Sequence, residues 1–235
     1  MPHTFFAPDL SGSSYTLPED ESKHAVRVLR LREGDAVELL NGRGGVFQAE
    51  VAVAEAKRCQ LRIVGEQQVP RRPYQVHVAV APTKNLDRME WLVEKATEIG
   101  VERLSFLRCA RSERRDLKLD RLERIAVSAL KQSGQAWLPQ FDELTDFASF
   151  VRTVQPATAF IAHLAEGERT ALAQVAATGT ECCILIGPEG DFTPEEIELA
   201  LGLGIRPVTL GNSRLRTETA ALAACHTVHV VRELS

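Results

Sequence analysis

The alternation of short apolar runs with amphipathic helical patterns after residue 76 constrains the fold most. The first apolar run is VHVAVAP (76–82), and the pattern that follows, DRMEWLVEKATEIG (87–100), has one apolar stripe and a glycine stop. Strands that alternate with helices of this length form a mostly parallel sheet covered by helices on both faces. The sequence therefore predicts an α/β fold for this part of the chain.

The same alternation continues toward the C-terminus. We expect further strands at 103–109, 157–164, 181–187 and 206–211, and further helices at 119–134, after Thr193, and from about Thr217 to about Val231. The helix after Thr193 has the clearest beginning, because Pro194 takes its first position and Glu196 completes a capping box.

Residues 1–70 have a different pattern, which is mostly β. Short Val- and Leu-rich runs predict strands at 36–40, 46–53 and 60–64, and NGRGG between the first two predicts a hairpin turn because Asn and Gly accept positive φ. One helix is predicted before them, in PEDESKHAVRVLRLREGD (18–35). These elements are typical of a small β-barrel with one helix.

The stretch QQVPRRPYQ (67–75) separates the two patterns, since it holds two prolines, two arginines and little apolar content. We therefore divide the chain into a β-barrel domain at 1–70, a linker at 71–75 and an α/β domain at 76–235. This division places the alternating pattern entirely in the second domain.

Composition limits the classes of function. The net charge of −4 gives no global sign of nucleic-acid binding, although a local basic face is compatible with it. No apolar run approaches the roughly 20 residues of a membrane span, and the N-terminus lacks a basic region followed by an apolar one. The five cysteines are odd in number and form no C-x-x-C pair. We expect a cytoplasmic protein with reduced thiols and no metal site.

Three predicted strands end in glycine-containing or polar loops, in FIAHLAEGE (160–168), LIGPEGDFTPEE (185–196) and TLGNSRLRTETAA (209–221). Ligands of open α/β sheets bind beyond such strand ends, and glycine lets the backbone approach a ligand closely. Taken singly, GPEGD is also compatible with a plain strand–helix turn, and RLRTETAA with a solvated loop capped by Thr217. Neither a P-loop nor G-x-G-x-x-G is present.

Two of these stretches carry a family resemblance. LIGPEGDFTPEEIELA (185–200) and LGNSRLRTETAALAAC (210–225) resemble the two C-terminal signatures of the trefoil-knotted SPOUT methyltransferases, and most closely those of the ribosomal RNA small subunit methyltransferase E family. HAVRVLRLREGD (24–35), KNLDRMEWLVEKATEIGV (84–101) and KQSGQ (131–135) match as well. The resemblance therefore spans nearly the whole chain.

The resemblance implies a C-terminal SPOUT α/β domain with a deep trefoil knot, preceded by a PUA-like β-barrel that binds RNA. It also implies a homodimer that uses S-adenosylmethionine to methylate N3 of a uridine in 16S rRNA, in the decoding region of the small ribosomal subunit. Two alternatives stay open. One is a SPOUT 2′-O-ribose methyltransferase, and the other is an inactive RNA-binding homologue.

The resemblance also assigns roles to residues of the three loops. Those implied in cofactor binding are Leu164, Ile186, Gly187, Pro188, Glu189, Gly190, Leu210, Gly211, Asn212, Leu215, Arg216 and Thr217. Arg216 and Glu189 are the candidate catalytic residues, because an arginine stabilises the uracil anion that forms when N3 loses its proton. The base is open among Glu189, Asp191, Glu218 and His163. Asp191 stands where the family usually has glycine.

Two basic runs are candidate RNA-binding surfaces, since phosphate contacts need Lys and Arg. The runs are 23–32 and 108–124, and the alternative for each is a solvated helix face. The residues implied in RNA binding are Lys23, Arg27, Arg30, Arg32, Arg111 and Arg114.

Overall fold

The computed structural model describes residues 2–177 and 179–234. The chain forms two compact units. The first contains the residues up to Arg71 together with Val127–Leu138, and the second contains Arg72–Ala126 and the residues from Pro139 onward. None of the described helices is both long enough and apolar enough to span a membrane.

The first unit is built on a five-stranded sheet. Its strands are β1 (His3–Phe6), β2 (Ser14–Thr16), β3 (Ala36–Leu40), β4 (Gly45–Val53) and β5 (Gln60–Gln68), in the order β1-β3-β4-β5-β2. The predicted β3–β4 hairpin is confirmed, and the Asn41 side chain accepts hydrogen bonds from the amides of Arg43 (2.8 Å) and Gly45 (2.9 Å). Phe5, Leu39 and Leu61 are fully buried in its core. This half-barrel confirms the predicted small β domain.

The helix predicted over 18–35 is shorter than expected. It begins as α1 (Glu19–Lys23) and continues as a π-helical turn over His24–Val28, in which the Leu29 amide bonds the His24 carbonyl at 3.0 Å. The prediction was wrong beyond that turn, because Arg30 adopts the left-handed conformation (φ 58°), which cannot continue a right-handed helix.

The second unit is built on a seven-stranded sheet in which every pair is parallel. Its strands are β6 (Gln75–Val80), β7 (Arg103–Arg108), β8 (Gln140–Asp146), β9 (Ala159–Ala162), β10 (Thr170–Ala171), β11 (Glu181–Ile186) and β12 (Arg206–Thr209), in the order β10-β12-β9-β11-β6-β7-β8. The predicted parallel sheet is confirmed. The two edge strands, β8 and β10, were missed because one is polar and the other has only two residues.

The helices of the chain after α1 are α2 (Leu86–Ile99), α3 (Leu119–Ser133), α4 (Phe147–Phe150), α5 (Leu172–Val175), α6 (Pro194–Gly202) and α7 (Thr217–Glu233). The predicted capping box is confirmed, since the Thr193 hydroxyl accepts from the Glu196 amide at 3.3 Å and the Glu196 carboxylate accepts from the Thr193 amide at 2.9 Å. The one-turn helices α4 and α5 were not predicted.

Helices cover the parallel sheet on both faces. One apolar cluster joins Ile161 and Leu185 of the strands to Phe147, Phe192 and Ile197 of the α4 and α6 side. Helix α7 contributes nothing to that cluster among the described residues and packs instead against α2, β6 and β11. Helices therefore pack against both faces of the sheet at whose edge the carboxyl ends of β9, β11 and β12 lie.

Candidate active site

A cavity of about 710 Å³ lies at the carboxyl ends of three neighbouring strands, β9, β11 and β12. Its lining comes from the three loops singled out in the sequence, with residues drawn from 162–169, 186–191 and 208–220. Strand ends of this kind are where open α/β sheets bind ligands, and the volume lies within the usual range of ligand pockets.

The structure brings almost all of the predicted cofactor residues into this lining. They are Leu164, Ile186, Gly187, Pro188, Glu189, Leu210, Gly211, Asn212, Leu215, Arg216 and Thr217. Gly190 is the exception among the predicted residues, because it does not line the cavity and its carbonyl accepts a hydrogen bond from Arg111 at 2.7 Å.

Two glycines of the lining have physical reasons to be glycine. Gly211 has a φ of 115°, which side-chain-bearing residues rarely adopt. A Cβ on Gly187 would lie 3.1 Å from both the ring and the amide nitrogen of Phe192, a contact tighter than ordinary packing. Gly211 is therefore glycine because of its backbone conformation, and Gly187 because Phe192 leaves little room for a side chain.

A buried hydrogen bond joins the second and third loops. The Thr217 hydroxyl donates to the Gly187 carbonyl at 3.1 Å. The interpretation of Thr217 as a helix cap is wrong, because Arg216 is the N-cap residue and Thr217 is the first residue of α7. Its hydroxyl instead forms a hydrogen bond that joins two of the loops lining the cavity.

Glu189 has a backbone partner. Its Oε1 accepts a hydrogen bond from the Lys84 amide at 3.0 Å, just before α2, and the carboxylate is exposed in the lining of the cavity. This contact holds the second loop beside the start of α2. The catalytic assignment of Glu189 stays a prediction.

His163 is a buried group of the lining. Burial lowers the pKa of its imidazole, and the opposing charge of Asp191 does not reverse that shift. Both ring nitrogens are buried and have no hydrogen-bond partner within the described part of the chain. The His163 carbonyl accepts a hydrogen bond from Arg169 at 2.5 Å.

The third loop carries exposed arginines. Arg214 and Arg216 both line the cavity and are exposed. Neither guanidinium has a hydrogen-bond or ion-pair partner in 2–177 and 179–234. The loop therefore offers uncompensated positive charge at the rim of the cavity.

Glu218 lies outside the lining. Its side chain is 8% exposed, and its Oε1 is 3.8 Å from the Arg88 Nε of α2. Its Oε2 is buried without a partner among the described residues. Glu218 therefore faces α2 rather than the cavity.

Comparison with known proteins identifies the family. Residues 70–229 match the model described as an RNA methyltransferase domain, and residues 17–64 match that of an RNA methyltransferase PUA domain. The chain is 30% identical to the ribosomal RNA small subunit methyltransferase E of Synechocystis, over 94% of this chain and 74% of that relative. The chain belongs to the ribosomal RNA small subunit methyltransferase E family.

Solved structures agree with this membership of the methyltransferase E family. A probable rRNA methyltransferase from Porphyromonas gingivalis superposes with a TM-score of 0.92 at 41% identity, covering 100% of this chain and 99% of that one. The ribosomal RNA small subunit methyltransferase E of Neisseria gonorrhoeae, bound to S-adenosylmethionine, has a TM-score of 0.87 at 26% identity, covering 100% and 98%.

Two arginines of this methyltransferase E family member that were predicted to bind RNA donate hydrogen bonds to backbone carbonyls, and their assignment to RNA stays a prediction. Arg111 donates from Nη1 to the carbonyls of Gly190 (2.7 Å) and Phe192 (3.3 Å). Arg114 donates to the carbonyls of Thr83 (3.2 Å) and Lys84 (2.7 Å). Both therefore support the loops at or beside the cavity, a role for which the sequence had no local signal.

The other predicted RNA-binding residues lie in the first unit. Lys23 forms an ion pair with Glu19, one helical turn away, at 2.7 Å. Arg27, Arg30 and Arg32 are exposed. Their assignment to RNA stays a prediction.

Proposed function

We propose that this protein transfers the methyl group of S-adenosylmethionine to N3 of a uridine in 16S rRNA, in the decoding region of the small ribosomal subunit. The observation that carries the proposal is the cavity at the ends of β9, β11 and β12, built from the motifs of the methyltransferase E family. The S-adenosylmethionine bound by the Neisseria gonorrhoeae relative supports the choice of cofactor.

The residues of the cavity suit this cofactor. Leu164, Ile186, Leu210 and Leu215 offer apolar surface, and the volume is adequate for a nucleoside-sized ligand. The backbone of the three lining loops supplies peptide groups that can recognise an adenine edge. When bound, S-adenosylmethionine supplies a methyl group on a sulfonium and leaves as S-adenosylhomocysteine.

The remaining chemistry falls to the protein. N3 of uracil must lose its proton before it can act as a nucleophile, and the resulting charge spreads over O2 and O4. The Arg216 guanidinium, which lines the cavity and has no partner among the described residues, stabilises that charge. Arg216 is therefore the catalytic residue in this proposal.

Glu189 is the proton acceptor that the geometry favours. The His163 nitrogens are buried, and Glu218 lies outside the lining. Both Asp191 oxygens accept hydrogen bonds from backbone amides. The exposed Glu189 carboxylate uses Oε1 for the Lys84 amide and still lines the cavity, which leaves it within reach of a substrate.

The same proposal includes the knot, the oligomeric state, the unit that recognises RNA and the location of the protein. A deep trefoil knot at the C-terminus is supported by the segment after β12, which lines the cavity and continues into α7 against β6 and β11. A homodimer is supported by Trp91 of α2 (41% exposed) and Val230 of α7 (38% exposed), on two helices that pack together. Recognition of 16S rRNA by the PUA-like unit and a cytoplasmic location complete it.

The experiment is methyl transfer from labelled S-adenosylmethionine to small ribosomal subunits that lack the modification, followed by nucleoside analysis. We expect 3-methyluridine. A 2′-O-methylated product would replace the base-specific assignment with the ribose alternative. Absence of both cofactor binding and transfer would favour an inactive RNA-binding homologue. Cofactor binding without transfer to any subunit preparation would point to a different RNA or a missing partner.

A further inference from the structure

Asp191 has an unusual backbone conformation. Its φ is 62°, in the left-handed region, and Arg30 is the only other non-glycine residue in 2–177 and 179–234 with a positive φ. Asp tolerates this conformation better than most residues because its short side chain bonds nearby backbone. The Asp191 amide also donates to the Pro188 carbonyl at 2.9 Å, which closes the turn of the second loop.

The Asp191 carboxylate joins two loops. Its Oδ2 accepts a hydrogen bond from the Leu164 amide at 2.8 Å, and its Oδ1 accepts one from the Phe192 amide at 2.8 Å. Leu164 belongs to the first loop, 27 positions away in sequence, whereas Phe192 belongs to the second. A bond between a carboxylate and an amide is charge-assisted and stronger than a neutral one.

The position of this link relative to the last strand pair indicates what it does in the structure. The pairing of β9 with β11 ends at Ala162 and Ile186, so the two loops diverge from that point. Two residues later, the Leu164 amide is bonded by Asp191. Leu164 and Asp191 both line the cavity, so the link fixes the separation of two of its walls beyond the last strand pair.

We propose that Asp191 is a positioning residue that holds the first and second loops in the cofactor-binding arrangement before the cofactor enters. The inference rests on the proposed function for the identity of the cofactor. A wall that is already ordered loses less entropy on binding, so the link contributes to affinity for S-adenosylmethionine and not to the chemical step. Both carboxylate oxygens accept from amides, so the proposal gives Asp191 the positioning role and leaves the role of base to Glu189.

Three variants separate the side chain from the backbone conformation. D191G keeps the left-handed conformation and removes both acceptors, D191N keeps that conformation and one acceptor oxygen, and D191A removes both acceptors and strains the backbone. Asp35 offers a matched control, because its carboxylate accepts from the Arg32 amide at 2.7 Å in a turn of the first unit. D35N therefore makes the same substitution as D191N at a turn contact far from the loops in sequence.

The measurement is the Kd for S-adenosylhomocysteine by calorimetry, with the thermal midpoint of each free protein and with kcat at saturating cofactor. We expect D191G and D191A to raise Kd about tenfold and D191N to raise it about threefold, whereas D35N leaves it unchanged. D191A should have a lower thermal midpoint than D191G, and kcat should stay within about twofold throughout.

The outcomes are distinguishable. If the wild-type protein does not bind S-adenosylhomocysteine, the proposed function fails and this inference fails with it. If the wild type binds and D191G binds equally well, the positioning role alone is overturned. A large loss of kcat with an unchanged Kd would overturn it too, because Asp191 would then act in the chemical step.

Discussion

The Thr217 hydroxyl and the Gly187 carbonyl form a buried hydrogen bond of 3.1 Å between residues 30 positions apart. The bond joins the first turn of α7 to the loop that follows β11, and both residues line the same cavity. The first and second loops are joined by Asp191, so the three walls of the cavity are held by two side-chain contacts. The sequence pointed to the loops but not to these contacts.

The first prediction concerns this bond. T217V preserves the shape of the side chain but leaves the Gly187 carbonyl unsatisfied, so we expect the free energy of unfolding to fall by about 1–3 kcal/mol. T217S keeps the hydroxyl and should lose much less. Urea unfolding of both variants checks the stability, and calorimetry with S-adenosylhomocysteine should show weaker binding only in T217V. A larger loss in T217S than in T217V would assign the effect to the methyl group instead, and equal behaviour of the two variants would contradict a role for the hydroxyl.

The second prediction concerns Arg216. R216A should lower kcat by about 10²- to 10³-fold, because a positive group that stabilises developing charge is lost. The Kd for S-adenosylmethionine should change little, and α7 should be intact because Arg216 makes no capping hydrogen bond through its side chain. Single-turnover methylation of small subunits measures the first effect, and calorimetry the second.

Arg214 is the control for Arg216, since it lies in the same loop, is exposed and lines the same cavity. R214A should raise KM for the RNA and leave kcat nearly unchanged. An equal loss of kcat in R214A and R216A would indicate that the loop acts through its total charge, and R216A with normal turnover would remove Arg216 from the mechanism.

Local pattern predicted much of the fold, because its causes lie within a few residues of one another. The capping box of Thr193 and Glu196 joins residues three apart, and the NGRGG turn carries its own glycines. The apolar strands of the parallel sheet are buried on both faces, so they also stand out in the sequence. The end of α1 was missed because nothing in the sequence near Arg30 indicates a positive φ.

The contacts that organise the site were not predictable in the same way. Arg111 bonds the Gly190 carbonyl 79 positions away, and Glu189 bonds the Lys84 amide 105 positions away. The identity of an arginine does not indicate whether it will donate to a backbone carbonyl. Arg111 was therefore grouped with the other basic residues of 108–124. Only the folded chain shows which groups these side chains meet.

The third prediction tests whether Arg111 supports the second loop through its backbone contacts. R111A removes the donor shared by the Gly190 and Phe192 carbonyls, so the second loop should loosen and the Kd for S-adenosylhomocysteine should rise by about three- to tenfold. Arg115, an exposed neighbour in the same run, serves as the control. R115A should leave cofactor affinity unchanged.

The alternative role for Arg111 is a direct contact with an RNA phosphate, which predicts a different result. If its main partner is a phosphate, R111A would keep full cofactor affinity and would reduce the slope of log K for RNA against log salt by about one. Filter binding at several salt concentrations, performed on R111A and R115A together, distinguishes loop support from phosphate contact.

The fourth prediction concerns His229 of α7, which is 3% exposed and whose Nδ1 lies 3.1 Å from the Tyr74 hydroxyl. Burial, followed by the charges of Arg72 and His226, lowers the pKa of His229 from 6.5 to about 4. The unfolded chain therefore binds the proton more tightly than the native protein between these two values. His229 thus makes stability fall as pH decreases from about 6.5 to about 4, and below pH 4 its effect no longer grows.

The size of this effect follows from linkage. Between pH 7 and pH 5, His229 should reduce the free energy of unfolding by about 2 kcal/mol. Carboxylates titrate in the same range, so the comparison must be made with H229N, whose amide replaces the Nδ1 side of the ring and does not titrate. We expect urea unfolding to show a pH dependence that is smaller by that amount in H229N. Parallel pH profiles of the two proteins would show that the native His229 accepts a proton as readily as the unfolded chain does, and that burial does not disfavour the imidazolium.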